Sequence, residues 1–383
     1  MIKCWATENS VQIDPQGFVR PCCKFEGNFG KFENYDSIDA ILNGKDYTLL
    51  RKRHSLGNMT KACWRCKEAE DRGYRSRRQA YETRYSENDF QLDISPGLYC
   101  NLKCRMCGPI NSTGWFSDND KLYDLGIHGM HSSKYNVYNM PQYDVDKIVK
   151  FIESNTKNID IELKGGEPLM LPATKHLLQT LSKWGDRIQI NMITNGTYTP
   201  DWLPNILEKF RMVTIGISAD GVGEVYNYIR GDEVKNTWKV FQKNISWYKK
   251  LKCKIRFNFT LQNTNIHHLY KFANEVGAEN VHVINLVNPK FNSIKIIPKQ
   301  ARAYILDQVE PWIDILGKHH LYYQKKDALI IKKELLRDEE VDLKLYNEYI
   351  TYNAHLDKLR SQNLLEVVPH LITTEGRKLY ESI

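Results

Sequence analysis

Three cysteines stand close together near the start of the second hundred residues, in Cys100-Asn101-Leu102-Lys103-Cys104-Arg105-Met106-Cys107, a C-x3-C-x2-C spacing. Thiolates this close can hold three corners of a cubane iron–sulfur cluster, which leaves the fourth iron without a protein ligand. An unfilled position on a metal invites substrate or cofactor, as the open site of a catalytic zinc does. On the residues alone, the competing reading is a zinc site of three cysteines and one histidine. Further on, Lys164-Gly165-Gly166-Glu167-Pro168 sets paired glycines at the end of a candidate strand, where backbone without Cβ can approach a ligand.

Five more cysteines lie in the first 66 residues: Cys4, Cys22, Cys23, Cys63 and Cys66. Cys253 stands alone. The turn Asp14-Pro15-Gln16-Gly17 between Val11-Gln12-Ile13 and Phe18-Val19 predicts a β-hairpin leading to Cys22. Cys63-Trp64-Arg65-Cys66 is a C-x2-C pair, which also suits structural zinc. Nine cysteines are an odd count, and the start Met1-Ile2-Lys3-Cys4-Trp5 carries no apolar secretory run. Metal ligation in a reducing cytosol is therefore expected, not a disulfide scaffold.

The elements that must position these residues come next. The chain has 383 residues, 42% hydrophobic and 26% charged, an ordinary balance for a soluble protein of two or three domains. No apolar stretch approaches the length of a membrane helix. After the polar stretch Ser86-Glu87-Asn88-Asp89, strands are predicted at 90–95, 158–164, 187–194, 211–218, 254–260 and 281–287. Helical patterns separate them: Val145, Ile148, Val149 and Ile152, then Leu177, Leu178, Leu181 and Trp184, then 234–249 and 266–276. Such alternation predicts parallel strands with crossover helices, and six strands suit an open sheet or a partial barrel. Several strands alternate polar and apolar residues, as Phe90, Leu92 and Ile94 do with Gln91, Asp93 and Ser95. One face packs on helices, and the other predicts a wet, polar interior. Residues 296–383 read as helical, with packing as their expected role.

Taken in order, these motifs resemble the radical S-adenosylmethionine (SAM) enzymes over roughly residues 89 to 290. The resemblance implies an α/β fold with a partial (β/α)6 TIM-like barrel, flanked by a small N-terminal cysteine-rich domain and a helical C-terminal segment. The domains would be 1–88, 89–295 and 296–383. It implies that Cys100, Cys104 and Cys107 bind a [4Fe–4S] cluster whose fourth iron is chelated by SAM. Gly165, Gly166, Glu167 and Pro168 would bind the methionine amino group. Ser218, in Ser218-Ala219-Asp220-Gly221, would contact the cofactor, and Arg230 would neutralise the methionine carboxylate. Asn195 sits at the matching end of the third strand, and Leu286 falls where backbone cradles adenine. Met106 stands where the family often has an aromatic residue, and its thioether can fill that space. Reductive cleavage of SAM would give a 5′-deoxyadenosyl radical that abstracts a substrate hydrogen. No residue stands out as a substrate acid or base.

The N-terminal cysteines resemble the twitch domain, the short relative of SPASM domains, here ahead of the barrel instead of after it. Cys4, Cys22, Cys63 and Cys66 would hold an auxiliary [4Fe–4S] cluster, with zinc as the alternative and Cys22 and Cys23 able to exchange. That resemblance favours a peptide or protein substrate. Residues 51–85 carry a net charge of +7 of the chain's +8, interleaved with Tyr74, Tyr81 and Tyr85, which keeps RNA or a nucleotide open. A non-catalytic iron–sulfur, zinc or electron-transfer protein is the reading from another class, and paired glycines with Arg230 argue against it. The enzyme would need an external flavodoxin- or ferredoxin-like electron donor and would be cytoplasmic.

Overall fold

The computed structural model describes residues 2–71, 73, 75–127, 129–231, 237–286, 288–318 and 322–383. Tyr74, residue 287 of the last expected strand and the first residues of the expected helix 234–249 lie outside the described residues. Eight strands form one sheet: β1 (Ser10–Ile13), β2 (Val19–Arg20), β3 (Asp89–Ile94), β4 (Asn158–Leu163), β5 (Ile188–Thr194), β6 (Met212–Ser218), β7 (Lys254–Leu261) and β8 (Val281–Asn285). Their order is β2-β1-β3-β4-β5-β6-β7-β8, and β3 to β8 are all parallel. These six are the strands of a partial (β/α)6 barrel, with the crossover helices Gln142–Ser154, Pro172–Leu181 and Leu269–Val276 among their connections.

Sequence periodicity explains the layers. Phe90, Leu92 and Ile94 turn to the helix side, where the Phe90 and Phe151 rings lie 4.8 Å apart. Val145, Ile148, Ile152, Leu177, Leu178 and Leu181 meet that face and are all buried. Burying each such side chain contributes roughly 1.5–3 kcal/mol before conformational entropy is subtracted.

The sheet is wider than six strands because the N-terminal hairpin joins it. β1 pairs parallel with β3, Gln12 opposite Asp93, and β2 pairs antiparallel with β1. Asp14 makes the turn: its Oδ1 accepts from Gln16 N and Phe18 N, both at 2.9 Å, and Gly17 takes φ +81°. The cysteine-rich segment therefore shares backbone hydrogen bonds with the barrel.

The polar face is partly covered by side chains of the chain itself. Gln91, Asp93 and Asn258 are buried there; Asp93 Oδ2 and Gln91 Nε2 are paired, while Asp93 Oδ1 and Asn258 Oδ1 have no partner. Gln12 Nε2 donates to Asp93 Oδ2 at 3.1 Å, Lys164 Nζ to the same oxygen at 2.6 Å, and Asn191 Nδ2 to Asp160 Oδ1 at 2.5 Å. Helix Arg77–Arg84 covers part of this face, with Arg84 paired to Asp160 at 3.0 Å and Tyr85 OH accepting from Gln91 at 3.2 Å. Buried polar groups need partners, and side chains from the N-terminal segment supply several of them.

Candidate functional site

The C-x3-C-x2-C loop leaves β3 and is pinned on both sides. Cys107 N donates to Cys104 O at 2.8 Å, closing the turn between the last two cysteines. Arg105 N donates to Ile229 O at 2.8 Å, and Trp115 Nε1 donates to Cys104 O at 2.9 Å. Cys104 is buried, while Cys100 and Cys107 are partly buried. The Cys107 thiol donates to the Cys104 sulfur, which holds Cys104 below the ordinary thiol range despite burial and pushes Cys107 above it. The guanidinium groups of Arg230 and Arg360 also lower Cys104. Burial pushes Cys100 up to about 12.

The glycines explain how the β4 loop comes so near. Gly166 has φ +52°, and a Cβ there would sit 2.3 Å from Tyr99 O, next to Cys100. Gly165 has φ +87°, and its Cβ would lie 2.6 Å from Ser95 Cβ. Only glycine takes both the conformation and the approach without strain. Glu167 is fully buried and lashes two loops together. Its Oε1 accepts from Thr194 Oγ1 at 2.8 Å and Leu169 N at 3.2 Å, and its Oε2 accepts from Asn195 N at 2.7 Å. Burial pushes its carboxyl up to about 7, against those hydrogen bonds. Pro168 is buried and opens the short turn Pro168–Met170.

Asn195 follows β5 and points its Nδ2 at Asn101 Oδ1, 2.8 Å away, and at Cys100 Sγ, 3.8 Å away. Arg230 ends helix Gly223–Arg230 and reaches Cys104 Sγ through Nη1 at 3.8 Å. Two sets of contacts, Cys100 with Asn195 and Glu167 and Cys104 with Arg230, thus meet the loop at the carboxyl ends of the strands. Ser218 ends β6, and Leu286 follows β8, with its N–H on Leu261 O at 3.0 Å. Asp220 is a site residue that strand and spacing arguments passed over. It is fully buried, takes Arg230 Nε on Oδ2 at 2.5 Å and accepts from Thr260 N on Oδ1 at 2.6 Å. Its place in Ser218-Ala219-Asp220-Gly221 was the available signal.

A second group forms in the N-terminal segment. Cys4, Cys22, Cys63 and Cys66 line one small cavity, closed by Phe25, Met59, His54, Arg78 and Tyr81. Cys63 ends the turn Lys61–Cys63 and Cys66 lies in helix Trp64–Asp71, so the x2 spacing turns both inward across one helical start. Burial pushes the Cys4 thiol up to about 12 and Cys22 higher still. Cys23 does not line this cavity. Cys253 is partly buried against the core.

Many cations of the basic segment are already paired. Arg51 meets Glu8 at 3.4 Å, Arg65 meets Glu26 at 3.1 Å, Lys67 meets Asp71 at 2.7 Å, and Arg78 meets Glu70 at 2.8 Å.

Three observations fit an iron–sulfur cluster with SAM at the first site. The cysteines are gathered on one pinned loop, the glycine cradle is one that a Cβ would fill, and buried Ser95 Oγ beside it has no partner. The four thiols lining the second cavity are the donor set that an auxiliary cluster takes. The family model of the radical SAM superfamily matches residues 94–276, and that of the iron–sulfur cluster-binding SPASM domain matches residues 4–67. These two imply a [4Fe–4S] cluster with SAM and an auxiliary iron–sulfur cluster. A curated relative is the radical SAM cyclopropyl synthase TigE of Paramaledivibacter caminithermalis, 24% identical over 254 residues, which are 62% of this chain and 50% of that one. The chain thus spans half the length of that relative. Among solved structures, native anSMEcpe with bound AdoMet and Cp18Cys peptide overlaps 60% of this chain and 61% of its own, at 20% identity and TM-score 0.44. Streptococcus suis SuiB bound to S-adenosylmethionine overlaps 70% and 57%, at 17% identity and TM-score 0.38. With the two models matched in order along the sequence, and a group of cysteines under each, the chain carries a radical SAM domain over residues 94–276 and a SPASM iron–sulfur domain ahead of it over residues 4–67.

Proposed function

We propose that the chain is a radical SAM enzyme acting on a peptide or protein substrate. The observation that carries this reading is the pair of contact sets at the strand ends, Cys100 with Asn195 and Glu167 and Cys104 with Arg230. When bound, the cluster and SAM supply a one-electron cleavage that yields methionine and a 5′-deoxyadenosyl radical, which takes hydrogen from the substrate. The chain's own residues bind and orient. Gly165 and Gly166 admit the methionine end, Arg230 offers it positive charge, and Glu167 keeps the β4 and β5 loops in register. Ser218 and Leu286 take the ribose and adenine side.

Two features favour a peptide. Gln12 Oε1 and Asp93 Oδ1 are buried acceptors without partners on the polar face, and a peptide brings N–H donors. Much of the basic segment's charge is spent on internal acids, which weakens it as a phosphate-binding surface. In this reading 1–88 is the cluster domain, 89–295 the barrel and 296–383 its buttress. The electron donor is flavodoxin- or ferredoxin-like, and the setting is the cytoplasm.

The test is anaerobic reconstitution, an iron count, and assay of 5′-deoxyadenosine after reduction with SAM. About eight irons per chain are expected from two cubanes. Cys104→Ala should abolish 5′-deoxyadenosine, and persistence of cleavage in that variant overturns the mechanism. About four irons with zinc present would assign the N-terminal site to zinc. RNA affinity that falls steeply with salt would overturn the peptide preference.

A further inference from the structure

The C-terminal helix Leu343–Arg360 is tied to the cysteine loop by buried charge. Arg105, between Cys104 and Met106, is 3% exposed. Its Nε donates to Tyr228 O at 2.9 Å, and its Nη1 to Asn353 Oδ1 at 2.8 Å. Nη2 pairs with Asp357 and donates to Gln362 Oε1 at 2.7 Å. The guanidinium lies over the Tyr228 ring, 3.6 Å from its centroid. Asp357 is equally enclosed: Oδ2 accepts from Leu364 N and Tyr380 OH, both at 2.7 Å. Two buried ions with this many partners fix the helix against the loop, because any shift leaves a charge unpaired in a low dielectric.

One turn further along, Arg360 is held in the same region. Its Nε donates to Asp118 Oδ2 at 2.9 Å, its guanidinium covers the Trp115 ring at 4.6 Å, and its side chain is 6% exposed. Trp115 is the residue that donates to Cys104 O. Yet Arg360 Nη1 and Nη2 are both buried without a hydrogen-bond partner. Leaving the N–H groups of a buried cation unsatisfied is costly unless something anionic meets them. Asp118 and Trp115 hold the guanidinium, and the same Trp115 ring reaches the Cys104 turn through its Nε1.

We propose that Arg360 is a positioning residue for the cluster of Cys100, Cys104 and Cys107: its fixed charge and the unpartnered N–H groups of Nη1 and Nη2 serve the anionic sulfurs, and the Arg105–Asp357 clamp fixes the helix that carries it. The inference rests on that cluster being present. A cation and N–H donors beside the sulfurs stabilise the reduced, more negative cluster and raise its potential. The C-terminal segment then sets how readily the cluster takes its electron, in addition to packing against the barrel.

The experiment compares reconstituted wild type, Arg360→Gln and Arg360→Lys by anaerobic redox titration followed by electron paramagnetic resonance. The cluster of interest is identified as the signal that changes on adding SAM. In Arg360→Gln its midpoint should move negative, with the reduced fraction at fixed potential falling about tenfold, which is about 59 mV for one electron. Arg360→Lys should recover most of that shift. Loss of iron from this site alone in the Gln variant, with the Lys variant retaining it, also supports the proposal. An unshifted midpoint in Arg360→Gln overturns it, as does a Lys variant shifted as far as Gln. A wild type with no SAM-responsive signal defeats the parent reading instead.

Discussion

Arg230 grips Asp220 through Nε at 2.5 Å while its Nη1 rests 3.8 Å from Cys104 Sγ. One guanidinium thus joins the end of β6 to the central cysteine of the loop after β3. Asp220 offsets the charge of this buried guanidinium. The fork geometry of arginine makes this double role possible, and a lysine point charge could not reach both partners.

Removing that guanidinium should be expensive. Arg230→Ala leaves Asp220 fully buried and unpaired, a loss of roughly 3–5 kcal/mol. Denaturant unfolding should show it as a lower midpoint with an unchanged slope. A loss below about 1 kcal/mol would mean Asp220 finds another partner or takes a proton.

The cradle of the β4 loop has its own test. Gly166→Ala must place Cβ against Tyr99 O in a left-handed conformation, which costs about 1–2 kcal/mol before the clash is counted. SAM binding measured by calorimetry should weaken at least tenfold, while iron at the four-cysteine cavity is unaffected. Normal SAM affinity would show that the loop does not meet the cofactor.

The paired cysteines after β2 separate cleanly. Cys22→Ala should drop about four irons of the expected eight, because Cys22 lines the auxiliary cavity. Cys23→Ala should retain them, since Cys23 does not line that cavity. Equal iron loss in both variants would show that the second thiol swings in as a ligand.

Glu167 carries a pH signature. Burial raises its folded-state pKa to about 7 from an ordinary 4.5. The folded state therefore binds a proton that the unfolded chain gives up in that window, so this contribution is full below 4.5 and fades as pH rises through 7. Stability of the apoprotein should decline across that interval by on the order of 3 kcal/mol through this group alone. Glu167→Gln should flatten the decline, although it also loses the bond to Asn195 N. An identical pH slope in both proteins would show that Glu167 is not the titrating group.

Much of the site could be read from spacing. The C-x3-C-x2-C loop, the paired glycines and Arg230 each announced themselves within a few residues, and the six parallel strands followed from alternation with helices. The polar interior was legible as a pattern but not as a network. Gln91 and Asp93 showed which face was polar, while Tyr85, Arg84 and Gln12, arriving from the N-terminal segment, showed that it is partly covered and hydrogen-bonded. The choice between Cys22 and Cys23 was also beyond local reasoning, because the two adjacent thiols sit in one turn and only the surrounding fold says which of them lines the cavity.

The sequence by itself determined the ligand types, their spacings and the strand–helix alternation, because those depend on covalent distance and on periods of two and 3.6 residues. Only the tertiary structure decided which distant groups share a dielectric. Arg105 and Asp357 stand 252 residues apart and are both buried, and β1 joins the barrel by pairing with β3 across 81 residues. Desolvation makes such partners necessary, but chain topology selects them, and no short window of sequence contains that information.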